Sequence, residues 1–436
     1  MDYNEAIRYL ENLQSGRIRA DIDGVKNVFK ELGNPQERFI SIHVAGTNGK
    51  GSTAVMIDSI LREAGYLTGL YTSPHILKFT ERIKVSNNPI AESGLSTYVK
   101  RHKTYFEKYR CTYFEAATII SFVYFYERGI DIAVVETGMG GRWDATNVLN
   151  PIITVITDLG IEHQKYLGNK IEKIAAEKGG IIKTGTECIV STTKKDAVKR
   201  LKDIAKSQNA PFYQVYRHSK IKLKNMNLNG TVFDYCQRNL DLKNLFIPLT
   251  GLHQVKNART AVFTVNRLKN LGFFIRNEDI INGLKNVKFD GRFETIYKNP
   301  LIILDVGHNP DAFEVIKQTV KTLFPRKKVF LLFGTKLDKD YLSMLRIIKP
   351  ICQEIAGIKL NNQNSLDPVK LIDITKKLKI KYTCFDSSED GLKFLLKKAG
   401  KDDIILAVGS HITVSEIKKQ VSLFKKWVIF FNLNNS

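Results

Sequence analysis

One stretch limits what this chain can be. The segment Ile42-His43-Val44-Ala45-Gly46-Thr47-Asn48-Gly49-Lys50-Gly51-Ser52-Thr53 follows an apolar, strand-like run from Phe39. A helical pattern follows it, Ala54 to Ala64. Strand, glycine-rich turn, lysine, hydroxyl residues and helix, in that order, are the parts of a phosphate-binding loop. The glycines let backbone N–H groups turn inward around anionic oxygens. The helix aims the positive end of its dipole at the same point. Lys50 adds a mobile charge for terminal phosphates, and Ser52 has an oxygen to offer a magnesium ion. Gly51 stands where the common form of this loop has Ser or Thr directly after the lysine.

Around this loop the sequence alternates strand-like runs with helical patterns, which predicts parallel sheets covered by helices. Residues 39–45, 130–136, 151–157 and 187–191 read as buried strands. Helical patterns fall near 4–14, 24–33, 93–108, 115–127, 171–178 and 254–271. Residues 213–248 read as short strands with turns, and Asn229-Gly230 is a hairpin signal. A break at Lys288-Phe289-Asp290-Gly291-Arg292 precedes a new alternation, with strands at 301–305, 328–333, 354–359, 381–385 and 403–408. A chain of 436 residues exceeds what one core usually serves. The expectation is an α/β protein of two domains. Residues 1–290 form a P-loop ATPase domain with a central, mostly parallel sheet. Residues 291–436 form a smaller Rossmann-like α/β domain.

Composition removes several classes. Hydrophobic residues at 43% and charged residues at 25% exclude a disordered chain. Lys and Arg total 67 against 44 Asp and Glu, a net charge of +23. A charge of that size suits nucleic acid. Here the basic residues are dispersed, and runs such as Lys376-Lys377-Leu378-Lys379 read as solvated helix faces. The expectation is a compositional drift toward Lys, Ile and Asn with some steering of anionic substrates, and no nucleic-acid partner. Five cysteines without a CxxC pair imply neither a disulfide framework nor a zinc site. The polar start Met1-Asp2-Tyr3-Asn4-Glu5 is no signal peptide. No apolar run reaches the ~20 residues of a membrane span, and the tail Trp427-Val428-Ile429-Phe430-Phe431 is short. A cytoplasmic chain without a membrane partner is expected.

Further candidates sit at strand ends, where parallel sheets open their ligand crevice. Glu136 ends an apolar strand and runs into Thr137-Gly138-Met139-Gly140-Gly141-Arg142-Trp143-Asp144-Ala145-Thr146-Asn147. A carboxylate there, beside a phosphate loop, suits Mg²⁺. The next strand ends in Thr157-Asp158-Leu159-Gly160-Ile161-Glu162-His163, where His163 is either a metal ligand or a structural residue. Thr72-Ser73-Pro74-His75 adds a hydroxyl after a possible strand from Tyr66 to Tyr71. Lys178 closes a helical pattern and alone reads as a helix-terminal charge. In the second domain Leu304-Asp305-Val306-Gly307-His308-Asn309-Pro310 repeats apolar strand, acid and tight turn. Asp305 there either holds ribose hydroxyls or caps the next helix.

Taken together, these motifs resemble a known family. Gly46 to Ser52, Gly140 to Asn147, Glu177-Lys178-Gly179-Gly180-Ile181-Ile182-Lys183, Gly251-Leu252-His253-Gln254-Val255-Lys256-Asn257-Ala258 and Asp305 to Pro310 are similar to folylpolyglutamate synthase/dihydrofolate synthase. That is a branch of the Mur ligase superfamily, and the motifs keep the family's order along nearly the whole chain. The resemblance implies that Gly49, Lys50, Gly51 and Ser52 cradle ATP. It implies that Ser73, Glu136 and His163, with Ser52, hold Mg²⁺, two ions in all, and that Lys178 is carbamylated. Asn257, Arg292 and Asp305 are implied nucleotide contacts. Thr112, Trp143, Asp144 and Ala145 are implied to hold the pterin substrate, and His308 and Ser410 to handle glutamate.

The implied reaction is ATP-dependent addition of L-glutamate to dihydropteroate or to folates, by a monomer. Lys50, Lys178 and His308 are the expected catalytic residues. The alternatives are another Mur-type peptide ligase and, from a different class, a nucleic-acid-dependent P-loop NTPase. The latter would show strongly salt-dependent nucleic-acid binding.

Overall fold

The computed structural model describes residues 1–13, 21–161, 168 and 170–421. His163 and the apolar tail 427–431 lie outside the described residues. The chain divides into two compact units. The first comprises Met1–Lys224, Val232–Pro248 and His253–Lys288. The second comprises Asn225–Thr231, Leu249–Leu252 and the chain from Phe289 onward. The division thus falls just before the expected 290/291 boundary. The second unit also takes the short turn Asn225–Thr231, whose Leu228 packs on that unit's core.

In the first unit, the central strands are short and buried along their length: β1 (Ile40–Ala45), β2 (Thr68–Tyr71), β5 (Ile132–Glu136), β6 (Ile153–Ile156) and β7 (Glu187–Val190). Only the first residue of β1 is exposed. Near-continuous apolar strands of this kind belong to sheets covered on both faces. With β3 (Ile83–Val85), β4 (Asn88–Pro89) and β8 (Phe212–Gln214) they form an eight-stranded sheet in the order β4-β3-β2-β5-β1-β6-β7-β8. The β2–β3 and β3–β4 pairs are antiparallel; the remaining pairs are parallel. The sequence reading had not separated the β3–β4 edge, which is only a few residues long. A three-stranded sheet follows: β9 (Ser219–Asn227), β10 (Gly230–Gln237) and β11 (Leu240–Ile247). Its first hairpin is present as expected, but the turn residues are Leu228 and Asn229, and Gly230 already opens β10.

β1 pairs with β5 on one side and β6 on the other, with Val44 opposite Glu136 and Ala45 opposite Ile156. The carboxyl ends of these three strands therefore converge where Gly46 begins. The helix that follows, Lys50–Glu63, is buried from Gly51 to Leu61. The sequence pattern placed its start at Ala54. It starts earlier because Gly49 is its left-handed N-cap (φ 84°), so Lys50, Gly51 and Ser52 form the first turn. Helix Asn277–Lys285 packs on it so closely that a Cβ on Gly283 would lie 2.4 Å from Ile60 Cα.

The second unit carries β12 (Glu294–Lys298), β13 (Leu301–Leu304), β14 (Val329–Phe333), β15 (Cys352–Ile358), β16 (Lys381–Phe385) and β17 (Ile404–Val408). Their order is β12-β13-β17-β14-β15-β16, parallel except for the edge strand β12. The expected strands are present within a few residues. β12 differs from the expectation: it is only half-buried, and its apolar stretch is limited to Ile296-Tyr297 between polar residues, so it carries no apolar run. Phe313, Leu331, Phe333, Met344 and Leu406 anchor the unit's core.

Candidate functional site

The phosphate loop is held from several sides. Thr47 N and Asn48 N donate to Asp158 O at 2.8 and 3.2 Å. Thr157 Oγ1 donates to Asn48 O at 2.9 Å, and Thr47 Oγ1 to Gly160 O at 3.1 Å. A Cβ on Gly46 would lie 1.8 Å from Thr157 Oγ1, so only glycine fits there. A Cβ on Gly49 would lie 2.2 Å from Asn257 Oδ1, which places Asn257 directly against the loop. Asn257 rides on helix Leu252–Asn270 and donates to Gln254 Oε1 at 3.1 Å. Lys50 lies in the helix's first turn, and its Nζ donates to Thr47 O at 3.3 Å. Ser52, in the same first turn, is buried. Sequence reasoning assigned no role to Thr157, Asp158 or Gln254. Their one signal was position, at a strand end or within a motif.

Glu136, Ser73 and Lys178 are tied to this loop and its strand. Glu136, buried at the end of β5, accepts a 3.0 Å hydrogen bond from Ser73 N, which ties the 72–75 segment to the neighbouring strand. Lys178 is 1% exposed. Its Nζ donates to Gly46 O at 2.7 Å, so it is an interior residue at the base of the loop and no surface charge.

The glycines of the two later motifs meet backbone on backbone. A Cβ on Gly141 would lie 2.7 Å from the carbonyl oxygens of Glu177 and Lys178. One on Gly180 would lie 2.5 Å from Arg142 Cα. Arg142 N donates to Glu177 O, and Asn147 Nδ2 donates to Arg142 O and Gly180 O. The loop 138–147 and the helix end that carries Lys178 are therefore one packed assembly.

Within that loop, Trp143 is 47% exposed and Ala145 is buried. Asp144 points inward. Its carboxylate accepts from Met139 N at 2.8 Å, from Thr146 N at 3.0 Å and from Thr146 Oγ1. Burial raises its pKa despite these hydrogen bonds. The Thr146 hydroxyl also meets His43 Nε2 at 2.7 Å. His43 lies on β1, and burial, with Lys183 nearby, pushes its pKa down to about 3, so the ring stays neutral. A neutral ring with Thr146 donating to Asp144 makes His43 Nε2–H the donor to Thr146. Thr112 Oγ1 accepts from Glu115 N, and its own N–H donates to Glu115: it is the N-cap of helix Tyr113–Glu127. Two residues on, the Phe114 ring fills the space that a Cβ on Gly138 would take, at 2.5 Å.

The second unit holds a separate set. Asp305 accepts from Phe293 N at 2.9 Å and from Gly307 N at 2.7 Å. Burial raises its pKa; the charge of Arg292 and the two amides oppose that rise. The reading of Asp305 as a helix cap is corrected: Asn309 caps helix Pro310–Leu323, its Oδ1 accepting from Ala312 N at 2.9 Å. The Arg292 guanidinium lies 4.6 Å from the Phe289 ring centre. His308 Nδ1 is 2.9 Å from Val306 O, and its ring lies 5.7 Å from that of His411. Ser410 Oγ accepts from Thr413 N at 3.0 Å.

Similarity to known proteins runs the length of the chain. Residues 44–265 match the Mur ligase middle domain, and residues 291–411 the Mur ligase glutamate ligase domain. The Bacillus subtilis dihydrofolate synthase/folylpolyglutamate synthase is 31% identical over 427 residues, 96% of this chain and 99% of that protein. The chain belongs to the dihydrofolate synthase/folylpolyglutamate synthase family of Mur ligases. Among solved members of this family, the Mycobacterium tuberculosis folylpolyglutamate synthase complexed with ADP superposes with a TM-score of 0.89 at 26% identity, covering 96% of this chain and 99% of that one. Escherichia coli FolC in complex with DHPP and ADP gives 0.87 at 27% identity, with 98% and 99% covered. The two-domain α/β architecture read from the sequence is that of the family.

Among the described residues no three His, Cys, Asp or Glu side chains cluster as a metal site. His163, one of the ligands that the resemblance implies, lies outside the described residues. The buried carboxylate of Glu136, at a strand end with Ser73 against it, is the type of oxygen donor that Mg²⁺ takes. No described helix is long and apolar enough to cross a membrane.

Proposed function

We propose that this chain is an ADP-forming ligase that joins L-glutamate to dihydropteroate, to folates, or to both. The observation that carries the reading is the phosphate loop with Lys50 in its helical first turn and the Glu136–Ser73 link on the adjoining strand. The full-length family match supports it.

A free carboxylate is a poor electrophile at neutral pH. In the proposed reaction an oxygen of the acceptor carboxylate attacks the γ-phosphorus of ATP, and ADP leaves. The acyl phosphate that results has a good leaving group. The glutamate amine adds to the acyl carbon, the tetrahedral adduct expels inorganic phosphate, and the nitrogen loses a proton to solvent. The loop amides and Lys50 stabilise charge that moves onto the transferred phosphoryl oxygens. Ser52, Ser73, Glu136 and His163 would hold Mg²⁺, which would supply Lewis-acid stabilisation of those oxygens. Lys178, buried beside Gly46, is the proposed site of carbamylation, which replaces an ammonium by two oxygen acceptors. Trp143, Asp144, Ala145 and Thr112 are assigned to the pterin side, with Asp144 acting by shaping its loop. Asn257, Arg292 and Asp305 are assigned to the nucleotide, and His308 and Ser410 to glutamate. The chain is taken to act as a cytoplasmic monomer without nucleic acid.

The test is ADP release and product mass with ATP, glutamate and bicarbonate, with dihydropteroate and tetrahydrofolate in parallel. A product heavier by one glutamate residue with at least one pterin is expected. Glutamate-dependent ADP release with neither pterin would point to another Mur-type ligase.

A further inference from the structure

Arg82 ends a 3₁₀ turn, Phe79–Arg82, and is 7% exposed. Its guanidinium lies 5.6 Å from the Phe79 ring centre and 5.3 Å from that of Tyr113. Its Nε donates to His75 Nδ1 at 2.9 Å. Among the described residues it has no carboxylate partner. The adjacent Glu81 is already engaged, accepting from the backbone N–H groups of Ile76, Leu77 and Lys78.

A guanidinium carries five N–H donors, and the His75 contact uses one. A buried charge without a counterion is costly, and native proteins keep one where an anion completes it. Arg is suited to a planar anion, because its terminal nitrogens form a fork that matches both carboxylate oxygens. Position narrows the choice. Arg82 O accepts from Thr72 N at 3.0 Å, and the next residue, Ser73, donates to Glu136 beside the phosphate loop. Tyr113, against which the guanidinium stacks, directly follows Thr112.

The geometry points to Arg82 as a binding residue for the carboxylate of the acid substrate, with His75 holding Nε so that the terminal nitrogens remain for the ligand. This inference rests on the folate-ligase reading above.

The test compares two ligands on two proteins. Equilibrium binding of dihydropteroate and of its carboxamide is measured, with ADP and Mg²⁺ present, on the wild type and on Arg82→Gln. In the wild type the acid is expected to bind roughly tenfold more tightly than the amide, as losing a charge-assisted bidentate pair implies. In Arg82→Gln that preference falls to about twofold or less, while the amide keeps its wild-type affinity. A preference that persists in Arg82→Gln, or equal weakening of both ligands, overturns the assignment. Should Arg82→Gln fail to fold, Arg82→Lys, which keeps the charge without the fork, is expected to retain a reduced preference; an undiminished one overturns it. A wild type that turns over dihydropteroate yet shows no acid preference overturns the Arg82 assignment alone. A wild type that neither binds nor turns over either pterin overturns the functional reading and this inference together.

Discussion

The buried Nζ of Lys178 lies 2.7 Å from the carbonyl oxygen of Gly46, a contact between residues 132 positions apart. Gly46 is also fixed from the other side, by Thr157, which leaves no room for a side chain. The first residue of the phosphate loop is thus clamped between a strand end and a helix end. Loop geometry and the chemistry assigned to Lys178 are consequently coupled.

Replacing Lys178 by Met removes both the clamp and the amine to be carbamylated. Turnover is expected to fall on the order of 10²-fold or more, the scale of a lost electrostatic group in an active site. Wild-type activity should drop when carbon dioxide and bicarbonate are stripped from the buffer, and the residual activity of Lys178→Met should not respond. ADP release in degassed and bicarbonate-supplemented buffer measures this. A wild type indifferent to bicarbonate contradicts the carbamate.

Lys50 contributes little to the fold, since its Nζ makes one 3.3 Å contact with Thr47 O. Lys50→Ala should therefore leave the melting temperature within a few degrees while kcat/KM falls on the order of 10²- to 10³-fold. Thermal melts beside steady-state kinetics separate the two effects. Near-normal turnover would remove Lys50 from the chemistry.

Gly49→Ala forces a side chain into a left-handed backbone (φ 84°) and against Asn257 Oδ1 at 2.2 Å. The backbone alone costs about 1–2 kcal/mol, and the clash adds to it. Asn257→Ala should relieve the clash and leave the backbone cost. A double-mutant cycle by urea unfolding is expected to give a coupling of roughly 0.5 kcal/mol or more in favour of the pair. Additivity within error would mean that the two residues do not press on each other.

Stability should fall in mild acid through buried histidines. His43 is depressed from 6.5 to about 3 by burial, with Lys183 adding to it. His102 is depressed to about 4 by burial, with Arg101 adding and Glu127 opposing. The unfolded chain takes up protons near pH 6.5 that the folded chain refuses. Each ring's contribution is complete above that pH and drains away as pH falls toward its folded value. For His43 the loss approaches about 1.4 kcal/mol per pH unit. His43→Gln retains an amide donor for Thr146 and does not titrate. Urea midpoints between pH 7.5 and 4.5 should decline less steeply for that variant than for the wild type. Parallel curves would exclude His43 as a source of acid lability.

Much of this was legible from the chain alone. The phosphate loop, the strand at Ile132–Glu136, the helix Glu92–Lys108 and the hairpin at Asn229-Gly230 were readable because each is set by residues a few positions apart. The alternation of apolar runs with helical patterns likewise gave two α/β domains. What the chain could not disclose was strand order. In a parallel sheet neighbours need not be sequential: β1 lies beside β6, which brings Thr157 onto Gly46, and β2 lies beside β5, which brings Ser73 next to Glu136. Nor does a hydrophobic pattern show that Gly141 and Gly180 are small because two backbones meet there, or that Asn257 rests on Gly49. Nor does the sequence show that the hydroxyl of Thr112 caps a helix and that the carboxylate of Asp144 is taken up by its own loop. Local chemistry is written in neighbouring residues, whereas contacts across more than a hundred positions are decided by which surfaces the whole fold brings together.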